Sequence, residues 1–464
     1  MRSVKRAASG VLGVLTVAGL VYLVQHLDRE RAYRQLLASG DDALRTGDAY
    51  RAIESLSGAI TLRPDSMAAH FRRAEAYRAQ RRHDEAVRDL TVANQLAPDA
   101  TEPLVALGEL SGERGDHAQA AVWYSRAADR LKDENAALLY ALARARYRAG
   151  SPAAAVDPLR RAIARRDPSG EAHYLLGLVL RDTNRPEEAM NILEEAVRIA
   201  PSLLPAREEL ADLYRARQRP DDEIAQLRAL AALDQQPGRR IALAIAEARE
   251  GRFDAALETL EGTTPASTDD SQVQLARGRV HLVRAERTGD RAAARLALAA
   301  LEKALGGSAR RSEGLALFGR ALFRAGDVIA AERILREAVA TSPVDVEAYA
   351  YLADAAESLA RPVEAREALA ALDALEGGIA SPATRAARAR RLGALSLQAG
   401  DAASAVRHLR TAIDAGQDTA ATFGLLAEAH WRLGDVPRAR DAIAQALERA
   451  PGDRALLRLS RTIK

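Results

Sequence analysis

Residues 170–201 read GEAHYLLGLVLRDTNRPEEAMNILEEAVRIAP. Ala189, Leu193 and Ala196 are spaced by four and then three, which puts them on one stripe of a helix. The pair Leu176-Gly177 comes twelve or thirteen residues before that alanine, and Pro201 closes the stretch. Both marks return along the chain at a period near 34 residues. The triple recurs as Ala52–Leu56–Ala59, Ala86–Leu90–Ala93, Ala120–Tyr124–Ala127 and Ala155–Leu159–Ala162. Further along it is Ala297–Leu301–Ala304, Ala331–Leu335–Ala338, Ala405–Leu409–Ala412 and Ala439–Ile443–Ala446. The pair recurs as Leu107-Gly108, Leu210-Ala211, Phe318-Gly319, Leu352-Ala353, Leu392-Gly393 and Leu426-Ala427, and closing prolines stand at Pro64, Pro98, Pro343 and Pro451. A fixed period in this range means stacked units, because no single unit can bury its apolar stripe alone.

Twelve units begin near residues 33, 67, 101, 136, 170, 204, 237, 271, 312, 346, 386 and 420. A glycine recurs after the first helix of many units, at Gly47, Gly115, Gly150, Gly251, Gly326, Gly400 and Gly434, where it ends the helix in a left-handed turn. Asp48, Asp116, Asp327, Asp401 and Asp435 follow directly and are predicted to cap the second helix. Together these marks resemble the tetratricopeptide (TPR) repeat: two antiparallel helices, A and B, a small residue where they cross and a proline after B. The resemblance covers about nine-tenths of the chain. It implies an all-α fold, a right-handed superhelical solenoid of about twelve TPR-like hairpins. The tail from Gly452, with Leu456, Leu457 and Leu459 among arginines, is predicted to cap the stack.

Four places depart from the pattern. Glu223 stands where the sixth crossing alanine belongs, which predicts a looser pair with Ile224 turned inward. The eighth unit is longer than its neighbours, with the extra residues around Ala285–Gly289 read as an extended helix A and loop. Residues 262–271 (GTTPASTDDS) and 377–384 break the register and are either hinges or long turns within one stack, the second being the plainer reading. The domain reading is residues 1–31 as tip and anchor, 32–262 as repeats 1–7, and 263–464 as repeats 8–12 with the capping helix.

Arg2, Lys5 and Arg6 precede an uncharged run from Ala7 to Val24 (AASGVLGVLTVAGLVYLV). At 1.5 Å per residue such a helix is about 27 Å long, close to the thickness of a hydrocarbon core. The expectation is a single transmembrane helix, with a cleaved signal peptide as the alternative. The best small-residue site, Thr16-Val17-Ala18, would leave apolar residues 19–24 after the cut, which favours the uncleaved anchor. Positive residues stay in the cytoplasm, so the solenoid is expected outside. In a bacterium that is the periplasmic face of the inner membrane.

A net charge of +3 on 464 residues, with 64 acidic residues interleaved, is no nucleic-acid footprint. Of the 67 basic residues only Lys5, Lys132, Lys303 and Lys464 are lysine, a bias of composition rather than of recognition. With no cysteine, disulfides and thiolate metal sites are excluded. The eight histidines are scattered, and no phosphate-binding loop or nucleophile elbow occurs, so neither catalytic residues nor a cofactor are expected.

Function is then expected in the groove. In TPR-like stacks helix A lines the concave face at repeat positions two, five, nine and twelve. Carried across, these are Phe71, Glu75 and Arg78, then Tyr140, Arg144 and Tyr147, then Tyr174 and Arg181. The sixth unit adds Glu208, Asp212 and Arg215, and later units add Arg279, Arg320, Phe323, Arg390, Glu428 and Trp431. Aromatics beside arginines can hold an extended peptide by stacking and by bidentate bonds to carboxylates. The competing reading is that the aromatics pack between repeats, and it is stronger for Trp431. TPR proteins that clamp chaperone C-termini use Lys and Asn on successive A helices. Here Leu37 and Asp41, Phe71 and Glu75, and Val105 and Glu109 stand there, which argues against that clamp. The expected function is a membrane-anchored, non-catalytic scaffold for protein or peptide partners, in an envelope, secretion or polysaccharide-export assembly. The alternatives are a targeting or regulatory subunit of a separately encoded enzyme and a cytoplasm-facing adaptor. Whether the chain forms a homo-oligomer is left open by the sequence.

Overall fold

The protein, as a computed structural model, is described over residues 2–131, 135–165, 170–261, 270–306, 311–376 and 378–463, with side chains from residue 20 onward. Among these residues there are twenty-five α-helices and no strand. They form two compact units, Met1–Arg217 and Gln218–Lys464.

In the first unit α1 (Arg2–Thr46) pairs with α2 (Ala49–Leu62), α3 (Met67–Ala79) with α4 (His83–Leu96), and α5 (Glu102–Glu113) with α6 (His117–Arg130). Then α7 (Ala136–Arg148) pairs with α8 (Pro152–Ala164) and α9 (Glu171–Asp182) with α10 (Pro186–Ile199), and α11 (Leu204–Ala216) ends the unit. The second unit begins at α12 (Pro220–Leu233). It continues with α13 (Pro237–Arg249) and α14 (Phe253–Glu261), α15 (Ser271–Thr288) and α16 (Arg291–Leu305), and α17 (Ser312–Ala325) and α18 (Val328–Ala340). The last hairpins are α19 (Glu347–Ser358) with α20 (Pro362–Glu376), α21 (Pro382–Gln398) with α22 (Ala402–Asp414), and α23 (Ala420–Arg432) with α24 (Val436–Arg449). A final helix, α25 (Arg454–Thr462), follows.

The two sequence marks prove to be two sides of one contact. A Cβ built on Gly319 of α17 would stand 2.5 Å from Leu335 of α18, and one on Gly393 of α21 would stand 2.5 Å from Leu409 of α22. At Gly108 of α5 the seated side chain is Tyr124 of α6, 2.7 Å away. Each of these crossing glycines is thus the seat for the large residue of the Ala–large–Ala triple on helix B. The triples themselves are buried throughout.

Each A-to-B turn has one left-handed residue. The seven predicted glycines are there with φ between +76° and +98°, and Gly289 joins them at +70°. In the remaining turns the position is held by Arg81, Asn184, Gln218 and Ala360, with φ from +55° to +60°. In most of these turns the following residue donates its N–H to a carbonyl five back, as Arg82 does to Tyr77 and Arg361 to Ala356, both at 2.9 Å. The five predicted aspartates cap the B helices, for example Asp116 accepting from the Gln119 N–H at 3.0 Å and Asp401 from the Ser404 N–H at 2.9 Å.

At the sixth position Ile224 is buried, as expected from the sequence, but Glu223 is buried with it, 1% exposed. A buried carboxylate needs a charged partner, and Arg249 of α13 supplies it. The eighth unit's extra residues lengthen α15 to 18 residues against 13 in α13, ending at Gly289. The linker residues 262–269 and Gly377 lie outside the described residues. In α25 the predicted cap is seated by Leu456, which lies over Gly424, while Leu457 is exposed.

At the N-terminus one continuous helix of 45 residues, α1, serves as helix A of the first hairpin. The Tyr33 hydroxyl meets Ser66 Oγ at 2.6 Å, fixing α1 to the turn before α3. Among the described residues no helix is long and apolar enough to cross a membrane. The predicted span, 7–24, lies over residues 7–19 outside the described side chains; Leu20, Val21, Tyr22, Leu23, Val24 and Leu27 are described and exposed.

Candidate binding groove

Positions two, five, nine and twelve of an A helix fall on one stripe because their spacings are three and four. In the first unit this stripe opens into three adjoining cavities along α3, α5 and α7, and Arg78 lines all three. One, of about 340 Å³, is largely apolar, with Phe71, Leu90, Val105 and Leu131 in its wall and Glu75, Glu102 and Asn135 at its rim. A second, of about 450 Å³, lies between Glu109, Gly112 and Glu113 of α5, Tyr124 of α6, and Arg144 and Arg148 of α7. The third, of about 700 Å³, is bounded by Glu75, Arg81, His83 and Glu113.

Arg78 partitions the cavities. Its Nη1 donates to Glu109 at 2.6 Å and its Nε to both oxygens of Glu113 at 3.0 and 3.1 Å. That fork holds the Glu113 carboxyl below the usual carboxylate range. Glu75 behaves oppositely: the groove walls strip water from it and raise its pKa against the pull of Arg72 and Arg78.

Other predicted residues link neighbouring repeats. Tyr140, Tyr147 and Tyr174 are half-buried against the core of the unit. The Tyr147 hydroxyl donates to Asp182 Oδ2 at 2.6 Å, and burial together with that carboxylate pushes its pKa up to about 12. Arg181 holds Asp182 at 2.9 Å and also Glu209 of α11. Arg144 lies over the Tyr140 ring at 5.7 Å. Asp212 and Arg215 are exposed and pair with each other at 3.1 Å along α11. The chaperone-clamp positions are also engaged internally, Asp41 accepting from Arg72 at 2.5 Å.

In the second unit Arg320 is 13% exposed and enclosed by its own neighbours. It donates to both oxygens of Glu286 at 3.2 Å and to Glu347 at 2.6 Å, and stacks on Tyr351 at 4.5 Å. Phe323 is half-buried in the adjacent core. Arg279 pairs with Glu313 at 3.4 Å and Glu428 with Arg432 at 2.5 Å. At the eleventh unit Arg391, rather than the predicted Arg390, reaches Asp354 and Glu357 of α19. Trp431, expected to pack, is 40% exposed.

Sequence reasoning missed Glu113 and Arg148. Both stand at position thirteen, one helical turn beyond Glu109 and Arg144, so the i, i+4 doublets Glu109–Glu113 and Arg144–Arg148 were the available signal. Among the described residues no group of three or more His, Asp or Glu side chains is arranged to hold a metal ion.

A tetratricopeptide repeat model matches residues 37–101, 105–170, 140–203 and 316–379, and a second tetratricopeptide repeat model matches 396–462. Solved structures similar to the chain include MamA, at 23% identity and a TM-score of 0.34 over 35% of this chain and 94% of that one. YrrB, described as a TPR protein with an unusual peptide-binding site, has 17% identity and a TM-score of 0.36 over 40% and 95%. Yeast Tom70 has 13% identity and a TM-score of 0.36 over 94% and 95%. At these identities the likeness is one of fold alone. No curated protein matches the chain. The repeat models together match more than half of the 464 residues, in register with the hairpins and their glycine seats, and the chain belongs to the tetratricopeptide repeat family.

Proposed function

We propose that the protein is a membrane-anchored, non-catalytic scaffold whose first unit holds a protein or peptide partner along α3, α5 and α7. One observation carries this reading: three cavities adjoin there around a single side chain, Arg78, with an apolar wall in one and charged walls in the others. The second unit's Arg320, by contrast, is already enclosed by Glu286, Glu347 and Tyr351.

The anchor is residues 7–24, with the repeats on the periplasmic side of a bacterial inner membrane, in an envelope, secretion or polysaccharide-export assembly. Support comes from the uncharged run after Arg2, Lys5 and Arg6 and from the exposed apolar residues between Leu20 and Leu27.

Two measurements test the proposal. Protease added to intact spheroplasts should digest the repeats and leave a membrane-held fragment beginning at residue 1; protection until lysis would overturn the topology. A photo-crosslinking side chain at Glu75 should give discrete adducts in cells, and one at the exposed Ile329, outside the groove, should not. Identical or absent adducts from both would overturn the groove assignment.

A further inference from the structure

The arginines on the A helices of the first unit differ in how they are matched. Arg72 reaches Asp41, Arg78 reaches Glu109 and Glu113, Arg181 reaches Asp182 and Glu209, and Arg215 reaches Asp212. Arg144 and Arg148, one turn apart on α7, form no ion pair among the described residues. Both line the 450 Å³ cavity. The carboxylates that share this cavity, Glu109 and Glu113, are both bonded to Arg78. The cavity therefore presents two unmatched guanidinium groups, which are forks shaped for a carboxylate. Beyond Arg78 and Glu109 lies the apolar cavity of Phe71, Leu90, Val105 and Leu131.

Resting on the groove reading above, we infer that the first unit selects a peptide segment carrying a carboxylate side chain beside a large apolar one. The carboxylate docks on Arg144 and Arg148, and the apolar side chain enters the cavity of Phe71, Leu90, Val105 and Leu131. Charge complementarity fixes the sign of the partner, and the neighbouring apolar wall distinguishes a peptide from a bare anion.

The test is to pan a random heptapeptide library against the full-length chain in detergent. Enriched peptides should carry Asp or Glu within a residue or two of Phe, Leu or Ile. Their affinity should fall at least tenfold in the Arg144→Gln/Arg148→Gln chain. Gly112→Leu provides the control for the place of binding. A Cβ on Gly112 would meet nothing within 4 Å, so the new side chain enters the cavity without displacing the core, and binding should be lost while the melting temperature holds or rises. Basic or uncharged peptides that survive Arg144→Gln/Arg148→Gln but are blocked by Gly112→Leu would overturn the carboxylate inference and leave the groove reading intact. Peptides that bind the Gly112→Leu chain as well as the parent, or no enrichment at all, would overturn both.

Discussion

Leu193 fills the space that a side chain on Gly177 would need: a Cβ there would stand 2.5 Å from Leu193 Cγ and 2.6 Å from its Cδ2. Leu193 is fully buried, which leaves it no empty volume to move into.

Gly177→Ala should therefore destabilise the first unit by about 1–3 kcal/mol, although alanine is the better helix former by about 1 kcal/mol. Overpacking wins because the obstructing atoms are the branch point of the leucine rather than its flexible end. Leu193→Ala should cost about 2–5 kcal/mol through its cavity, and the double variant should fall well short of the sum of the two. Urea unfolding followed by Trp123 fluorescence reads this cycle. Strict additivity would mean that the two residues do not share the space.

The left-handed turn at Ala360 invites the opposite change. Its φ is +56°, a conformation that costs a non-glycine residue about 1–2 kcal/mol. Glycine there loses more chain entropy on folding, about 0.4–1 kcal/mol, so the backbone relief is the larger of the two. Ala360→Gly should stabilise the second unit by up to about 1 kcal/mol in thermal unfolding. The same change at Asn184 should do less, because asparagine tolerates this region.

These two sites show how far the hairpins were legible in the sequence. Gly177 and the Ala189–Leu193–Ala196 triple are local signals repeated at fixed distance, and burial, turn and cap followed from them. Arg81 and Ala360 carried no such signal, since the turn there is imposed by the hydrogen bonds on either side rather than by residue type. The groove was half legible. Helical spacing put Arg78 and Tyr147 on the groove stripe, yet their partners lie on the next A helix: Glu113 is 35 residues from Arg78, and Asp182 is 35 from Tyr147. A periodic pattern marks the face of a helix and not the rotamer that joins it to its neighbour. So Tyr147 proves to be bonded across repeats, while Arg148, outside the assumed positions, is unmatched.

Tyr147 should declare itself by titration. Burial, then its bond to Asp182, raise the phenol to about 12, so the folded state holds this proton more tightly than the unfolded state, where tyrosine titrates near 10. Its contribution to stability is therefore complete below pH 10 and is lost as pH rises toward 12. Ultraviolet titration of the parent minus Tyr147→Phe should show a phenol ionising well above about 10, and Asp182→Asn should bring it down. A difference curve centred near 10 would mean that the bond does not persist in solution.

Glu286→Ala should be the most damaging single change at an ion pair of the second unit's groove face. Glu286 accepts two bonds from Arg320 and one from the Tyr351 hydroxyl at 3.0 Å, and Arg320 is too enclosed for water to replace them. The Arg320 Nε already has no hydrogen-bond partner among the described residues. Truncation should cost about 3 kcal/mol, the low end for a buried pair, because Glu347 still holds one guanidinium nitrogen. Glu195→Ala, which removes the partner of the exposed Arg198 in the first unit, should cost no more than about 0.5 kcal/mol and should lose even that in high salt. Unfolding followed at Trp431 for the first variant and at Trp123 for the second separates the two units. Equal costs would show that Arg320 is as well solvated as a surface arginine, and would return it to the residues available to a partner.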